Sequence, residues 1–561
     1  MKSHQLHQLL IAAAGALFFL PFLGGVHLFD WDEINFAEVA REMIASGDYM
    51  RVQIDYEPFW EKPPFFFWLQ ALSMKLFGVG EYAARFPNAI CGILTLVFLY
   101  RVGRKLWDER MGLLWAGAYF GSILPHLYFK SGIIDPWFNL FIFSSLYHWI
   151  LFHWKRNHVA GISLDKSARY YLIVSGLMMG MAMLTKGPTA FLVFTLIGGV
   201  YWVWYRLAKL VSIWEVFLFG ILAALPSMMW YGVEVVRQGP GFLVDFVLYL
   251  IRLASTEDAG HGGFPGYHIV VLLVGCFPIS IFAIGAMLPF KESHPHHRDL
   301  RQWMLIMVGV VVVLFSLVQS KIVHYSSLAY FPLTYLGARV WYGLIESKHQ
   351  PSRWMTISFW VIGSLFAVAC LLLPILGSQP ETLLPYVQDP NVQEILKYPV
   401  SWGAMDFLPG ILWFVLLIVT QFFFSRKQHV KAIGILIMGI GLLISVTLIF
   451  FIQRIEGYSQ EAAIAFFEEK GKEDAYLISF GYKTYAQLFY GRKSFDPDNP
   501  KTWQTAAGTL MNEELDRDLY VVTKIHKADQ LKEVFPQMVE IGRDRGFVFF
   551  KKEKVKIEGV D

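Results

Sequence analysis

Apolar residues fall in long blocks along the chain, separated by short polar stretches. A bilayer takes roughly 20 residues per crossing helix, and by that criterion the pattern predicts about 13 transmembrane helices. They lie near 9–28, 85–106, 111–129, 135–152, 170–185, 188–206, 213–232, 267–290, 303–319, 325–344, 354–377, 407–424 and 432–452. The first block begins near Leu9 after a single Lys2, and no small-residue cleavage site precedes Asp30. We therefore expect a retained first span, with a cleaved signal peptide as the alternative.

The connecting loops orient these spans. Arg101, Arg104, Lys105 and Arg110 share one loop, and Lys155, Arg156, Lys166 and Arg169 another. Arg206 and Lys209, then Lys291, Arg298 and Arg301, continue the alternation, followed by Lys348 and Arg353 and by Arg426, Lys427 and Lys431. Every second loop is basic, which places those loops and the N-terminus in the cytoplasm. The other face then carries 29–84, 233–266, 378–406 and everything after 453.

These outer segments are patterned too. Asp32 can cap a helix running to about Ser46, with Gly47 as its stop. The helical spacing of Ile34, Phe36, Ala37, Ala40, Met43 and Ile44 suits a helix lying along the membrane surface. A second outer helix, Pro64 to Phe77, is apolar but too short to span. After 453, charged residues return. A helix over 459–470, strands at Tyr476–Phe480, Leu519–Thr523 and Phe547–Phe550, and a capping box at Thr484 and Gln487 predict a small α/β domain. The expected architecture is thus an α-helical polytopic membrane protein with outer juxtamembrane helices. It divides into a transmembrane unit, 1–452, and an outward soluble domain, 453–561.

Composition agrees. Of the 561 residues, 55% are hydrophobic and 17% charged, which few soluble domains combine. A net charge of +3 without a basic tail argues against a nucleic-acid partner. Cys91, Cys276 and Cys370 sit inside apolar blocks and offer neither a disulfide framework nor a CxxC motif.

Candidate chemistry lies in the ionisable residues that gather at the outer boundary. Asp32 and Glu33 follow the first span, and Glu61 and Lys62 precede two prolines. Lys130 and Asp135 flank one outer turn, Lys186 sits in a second, and Lys321 and His324 in a third. A lone lysine in an outer turn runs against the charge bias, and a phosphate group at the interface would offset it. Carboxylates at the same depth can take a proton from an acceptor hydroxyl, orient it, or hold a divalent ion. The plainer alternative is that each lysine is an interfacial anchor and Asp32 only a helix cap.

Several motifs together resemble the GT-C glycosyltransferases. They are Trp31-Asp32-Glu33, Ala37-Glu38, Arg41-Glu42-Met43, Ser46-Gly47-Asp48 and Glu61-Lys62-Pro63-Pro64. Phe77-Gly78, Arg85, Asp135-Pro136, Leu184-Thr185-Lys186-Gly187-Pro188 and Lys321 before Tyr325 continue the likeness. Within that group the chain is similar to the branch of protein O-mannosyltransferases and the bacterial aminoarabinose transferase acting on lipid A. The resemblance implies a polyprenyl-phosphate sugar donor, an inverting transfer and a cavity at the outer boundary. It implies Asp32 as the catalytic aspartate, Asp135 as a second acid in the cavity and Lys62 facing the donor phosphate. It also implies a zinc-like metal site formed by Glu61 and His261. One position departs: the aminoarabinose transferase carries an Arg three residues after its first Asp, where this chain has Asn35. That phosphate contact is then either missing or supplied by another group, Arg252 or Lys321.

The function expected is transfer of a sugar from a polyprenyl (undecaprenyl) phosphate carrier to an envelope acceptor, which could be lipid A, a glycan or a protein. A secondary transporter or lipid flippase is the alternative. Transporters usually place polar sites near the midplane on broken helices, whereas these acids gather at one boundary. A non-catalytic assembly protein would leave Asp32, Glu61 and Asp135 without a role.

Overall fold

The computed structural model describes residues 3–59, 61–206, 211–255, 262–288, 292, 294–398, 400–492, 510–512 and 514–555. It is a multi-pass helical bundle with an outer layer at one end. Among the described residues, seven helices are each long and apolar enough to cross a bilayer. They are Glu81–Leu106, Ala168–Lys186, Ile213–Gln238, Pro295–Leu317, Arg353–Ser378, Leu408–Ser425 and His429–Gly457. The predicted span at 267–290 is a pair, Tyr267–Gly275 and Ile279–Met287, bent by 118°. Pro278 stands at the break and lacks the N–H that a continuous helix would use. The other predicted spans contain the helices Ser3–Phe19, Glu109–Phe120, Asp135–Arg156, Thr189–Trp204 and Tyr330–Ser347. These are shorter or more polar than a lone span.

Two hydrophobic cores form. One fills the bundle. The second joins the segment 29–84 to the segment after 453, packing Ile34, Phe36 and Phe67 into one cluster with Leu477, Phe489 and Val521. The C-terminal sheet has four strands in the spatial order Ala475–Phe480, Asp518–Lys524, Phe547–Lys552, Val539–Asp544. The first pair is parallel and the other pairings are antiparallel. The strand Val539–Asp544 and the helix Ile525–Val534 were not expected. The strand's sequence, Val-Glu-Ile-Gly-Arg-Asp, is short and half charged, a weak apolar alternation.

The helix Asp32–Ser46 has the expected limits, and Gly47 closes it with φ 73° and its N–H on the Met43 carbonyl. Two expectations about it fail. Its cap position is Trp31, and no side chain accepts a hydrogen bond there, so Asp32 is the first helical residue and not a cap. Nor does it lie on a membrane surface. Residues 33–43 are buried on every side, polar ones included, because the C-terminal domain closes over it. The buried polar groups are matched: Arg41 donates to Glu38 at 2.6 and 2.7 Å, and Glu42 accepts the N–H of Asp55 and of Tyr56. Of the expected capping box, Thr484 is seen to act, its hydroxyl accepting the Ala486 N–H at 3.1 Å.

Candidate active site

A cavity of about 1630 Å³ opens between the bundle and the outer layer. Its walls hold Asp32, Glu33, Glu61, Lys62, Lys130, Asp135, Lys186, Arg252 and His324. Residues spread over nearly three hundred positions of sequence thus share one chamber.

Helix ends place the central pair. Gly187 terminates the helix Ala168–Lys186 with φ 87°, its N–H on the Met183 carbonyl, and the next helix starts after Pro188. Lys186 therefore sits at a helix C-terminus, the end that favours a cation. Asp135 sits at the N-terminus of Asp135–Arg156, with Pro136 in the first turn, the end that favours an anion. The two ends meet, and Lys186 Nζ lies 2.7 Å from Asp135 Oδ1. The Lys186 amine also faces the rings of Tyr325 and Phe138 at 5.6 and 5.8 Å. Asp135 Oδ2 is buried without a hydrogen-bond partner among the described residues.

His324 links this pair to Asp32. Its Nε2 lies 3.6 Å from Asp32 Oδ2 and 3.9 Å from Asp135 Oδ2, ionic rather than hydrogen-bonding distances. Burial pushes the His324 pKa below its ordinary value, against the pull of Asp135 and Asp32. The imidazole is therefore neutral at neutral pH. Lys62 is close enough to act electrostatically on both Asp135 and His324. Asp32 is the more open acid, its side chain 32% exposed against 3% for Asp135. Geometry thus separates a buried, lysine-clamped carboxylate from one that can reach a substrate.

Three expected site residues do other work. Glu33 lines the cavity, but Arg85 holds its carboxylate at both oxygens, with contacts of 3.1 and 2.8 Å. The N–H groups of Phe29 and Gly132 complete its shell. Burial alone would raise the Glu33 pKa, yet the Arg85 guanidinium brings it below the usual value. It is a structural anion without free lone pairs for catalysis. Lys130 also reaches the cavity wall, but its amine donates to the carbonyls of Phe18 and Pro21, each at 2.9 Å. It closes the C-terminal end of the first helix, and burial lowers its pKa to about 8. Lys321 does not line the cavity. Its amine donates to the carbonyls of Phe315, Ser316 and Val318 and so caps the helix Pro295–Leu317. Of the two substitutes for the arginine missing at Asn35, only Arg252 stands in the cavity wall.

Of the expected metal ligands, Glu61 lines the cavity, with Lys62 Nζ 3.8 Å from its carboxylate, and His261 lies outside the described residues. Elsewhere among the described residues, His27, Glu81 and Glu468 bring ligand atoms within 4.8 Å of one another, a possible metal triad.

Comparison with known proteins shows what the chain is similar to. Residues 61–230 match the dolichyl-phosphate-mannose-protein mannosyltransferase family. ArnT from Cupriavidus metallidurans, solved bound to undecaprenyl phosphate, superposes with a TM-score of 0.74 over 97% of both chains at 18% identity. The chain has the GT-C glycosyltransferase fold. Curated aminoarabinose transferases are similar to this chain over part of their length. An undecaprenyl phosphate-alpha-4-amino-4-deoxy-L-arabinose arabinosyl transferase of Pectobacterium carotovorum is 27% identical over 63% of this chain and 62% of its own length. One of the same name from Enterobacter is 28% identical over 73% of this chain and 72% of its own length.

Two contributors to the GT-C cavity were not singled out from sequence. Arg85 appeared only as part of a motif, yet it also donates to the carbonyls of Leu23, Val26 and His27 and so fixes the exit from the first helix. Lys483 enters the cavity wall from the C-terminal domain. No local pattern marks it, because its partner Trp31 is brought to it only by folding.

Proposed function

We propose that the chain is an inverting glycosyltransferase that moves a sugar from a polyprenyl (undecaprenyl) phosphate carrier to an envelope acceptor. The observation that carries this reading is the juxtaposition, in one cavity, of an open carboxylate, a cationic set and apolar walls. Lys62, Lys186 and Arg252 would hold the donor phosphate, and apolar side chains such as Leu192, Val193 and Phe315 would cover its isoprenoid chain. The acceptor oxygen attacks the anomeric carbon opposite the carrier, the sugar–phosphate C–O bond breaks, and the lipid phosphate departs with added negative charge. Preorganised cations stabilise that charge. Asp32 takes the acceptor proton, or orients an acceptor that is already anionic. The names of the relatives favour this reading over a transporter or flippase.

Purified protein should transfer sugar from a synthetic polyprenyl-phosphate donor with no nucleotide present. Use of a nucleotide sugar without a lipid carrier would overturn the reading. A chelator arm of the same assay addresses the zinc-like ion proposed at Glu61 and His261. Transfer lost on chelation and restored by zinc supports the ion, and transfer indifferent to both removes it.

We also infer an inner (plasma) membrane location with about 13 spans. The N-terminus and the loop 153–169 are cytoplasmic, and 29–84 and the domain 453–561 are outside. The three native cysteines are buried, so single cysteines introduced at the exposed Ser163 and Lys472 report cleanly. An impermeant thiol reagent applied from outside should label Lys472→Cys and spare Ser163→Cys. The reverse result defeats the scheme.

A further inference from the structure

We propose that Lys483, carried into the cavity by the C-terminal domain, is the cationic contact for the anionic headgroup of a lipid acceptor. The inference deepens the transferase reading above and rests on it. The Lys483 amine lies 4.3 Å from the centre of the Trp31 ring and 5.6 Å from that of Tyr485. Those rings meet edge to face at 5.2 Å and form a platform that limits where the amine can go. Among the described residues Lys483 makes no salt bridge. Beside it in the chain, the Thr484 hydroxyl donates to the Asp30 carboxylate, which also lines the cavity.

Its position in the domain is that of a ligand-facing turn. The turn at 481–484 follows the strand Ala475–Phe480, which runs parallel to Asp518–Lys524, with Phe480 beside Thr523. Open α/β sheets commonly bind ligands outside the carboxyl ends of such strands. A second lysine, Lys524, ends the neighbouring strand and faces the Tyr482 ring at 5.6 Å.

The wiring of the cavity assigns this cation to the acceptor. Lys186 pairs with Asp135, and His324 joins Asp135 to Asp32. Trp31, adjacent to Asp32 in the chain, leads to Lys483. Asp32 is thus tied to one cationic region through His324 and to a second through its chain neighbour Trp31, an arrangement suited to a group that acts between a donor phosphate and a second anionic substrate. The apolar walls are also two. One comes from the helices Thr189–Trp204 and Pro295–Leu317, which pack together. The other comes from the packed helices Ser3–Phe19 and His429–Gly457 and the segment just after the first of them, through Leu17, Phe22, Leu448 and Ile449. A second apolar wall in the cavity that also holds this lysine fits a lipid carrying a phosphate monoester better than a glycan or a protein hydroxyl.

Binding to full-length protein in detergent tests this. The probes are a diphosphorylated acylated glucosamine disaccharide (lipid A), its dephosphorylated form, undecaprenyl phosphate and inorganic phosphate. A charge-assisted hydrogen bond is worth about 1.5–3 kcal/mol, so Lys483→Ala should weaken lipid A binding roughly tenfold or more. Affinity for the dephosphorylated lipid and for undecaprenyl phosphate should not change, and Lys483→Arg should restore most of the loss. An unchanged lipid A affinity, or an equal loss for undecaprenyl phosphate, overturns the proposal. Inorganic phosphate competing as well as lipid A does so too, because it removes the lipid from the argument. Failure of the wild type to bind undecaprenyl phosphate would count against the donor reading alone.

Discussion

Asp32→Asn is expected to lower the transfer rate about 10²–10⁴-fold, the usual contribution of a positioned general base. Folded protein and donor binding should be unaffected. The change is nearly isosteric, and because the carboxylate caps no helix, capping is not lost with it. The His324 contact at 3.6 Å is beyond hydrogen-bonding distance and the imidazole is neutral, so little stability depends on it. The loss should fall on kcat, because the proton moves only as the new glycosidic bond forms. Asp135→Asn should differ in kind. It leaves Lys186 in a cavity wall without its partner at 2.7 Å, so donor binding should change along with rate. An Asp32→Asn enzyme with normal turnover would remove this residue from the chemistry, and one that fails to fold would show that its role is structural.

Arg85→Met is expected to destabilise the protein by about 3–5 kcal/mol, the cost of leaving one member of a buried ion pair alone. The stranded charge is Glu33, 6% exposed. The guanidinium also ties down the carbonyls of Leu23, Val26 and His27 at 2.8–2.9 Å. Arg85→Lys should rescue only part of the loss, since an ammonium cannot reproduce the planar fork. The informative comparison is the double variant Glu33→Met with Arg85→Met. Removing both charges leaves nothing ionised and buried, so it should be less destabilised than Arg85→Met alone. Thermal melts in detergent read the wild type, Glu33→Met, Arg85→Met, Arg85→Lys and the double variant. A double variant at least as unstable as the sum of the two singles would mean that the pair does not act as a unit.

The bundle was legible in the sequence because lipid imposes a length and a composition on every crossing helix, and both can be read locally. Loop charges likewise follow a rule that needs no fold. The limits of the helix Asp32–Ser46 were legible for a similar reason, since Gly47 at φ 73° is a local stop. The burial of that helix was not. Its apolar spacing matches a surface helix, and only the C-terminal domain, packing from more than four hundred residues away, turns its polar face inward.

The same division runs through the site. The sequence alone predicted one boundary for Asp32, Lys62, Asp135, Lys186 and His324, because four of them flank spans and Lys62 lies in the segment 29–84 that joins two. Which of them face a common cavity depended on where each side chain ends, and that is a tertiary matter. Lys130, Lys186 and Lys321 look alike as lone lysines in outer turns. In the fold, Lys130 and Lys321 spend their protons on the free carbonyls of helix ends, the groups that an ammonium satisfies most readily when no water can. Lys186 instead meets a carboxylate brought by another helix. A helix end announces itself in sequence, but which donor reaches it does not, since that is fixed by packing between segments with no local relation.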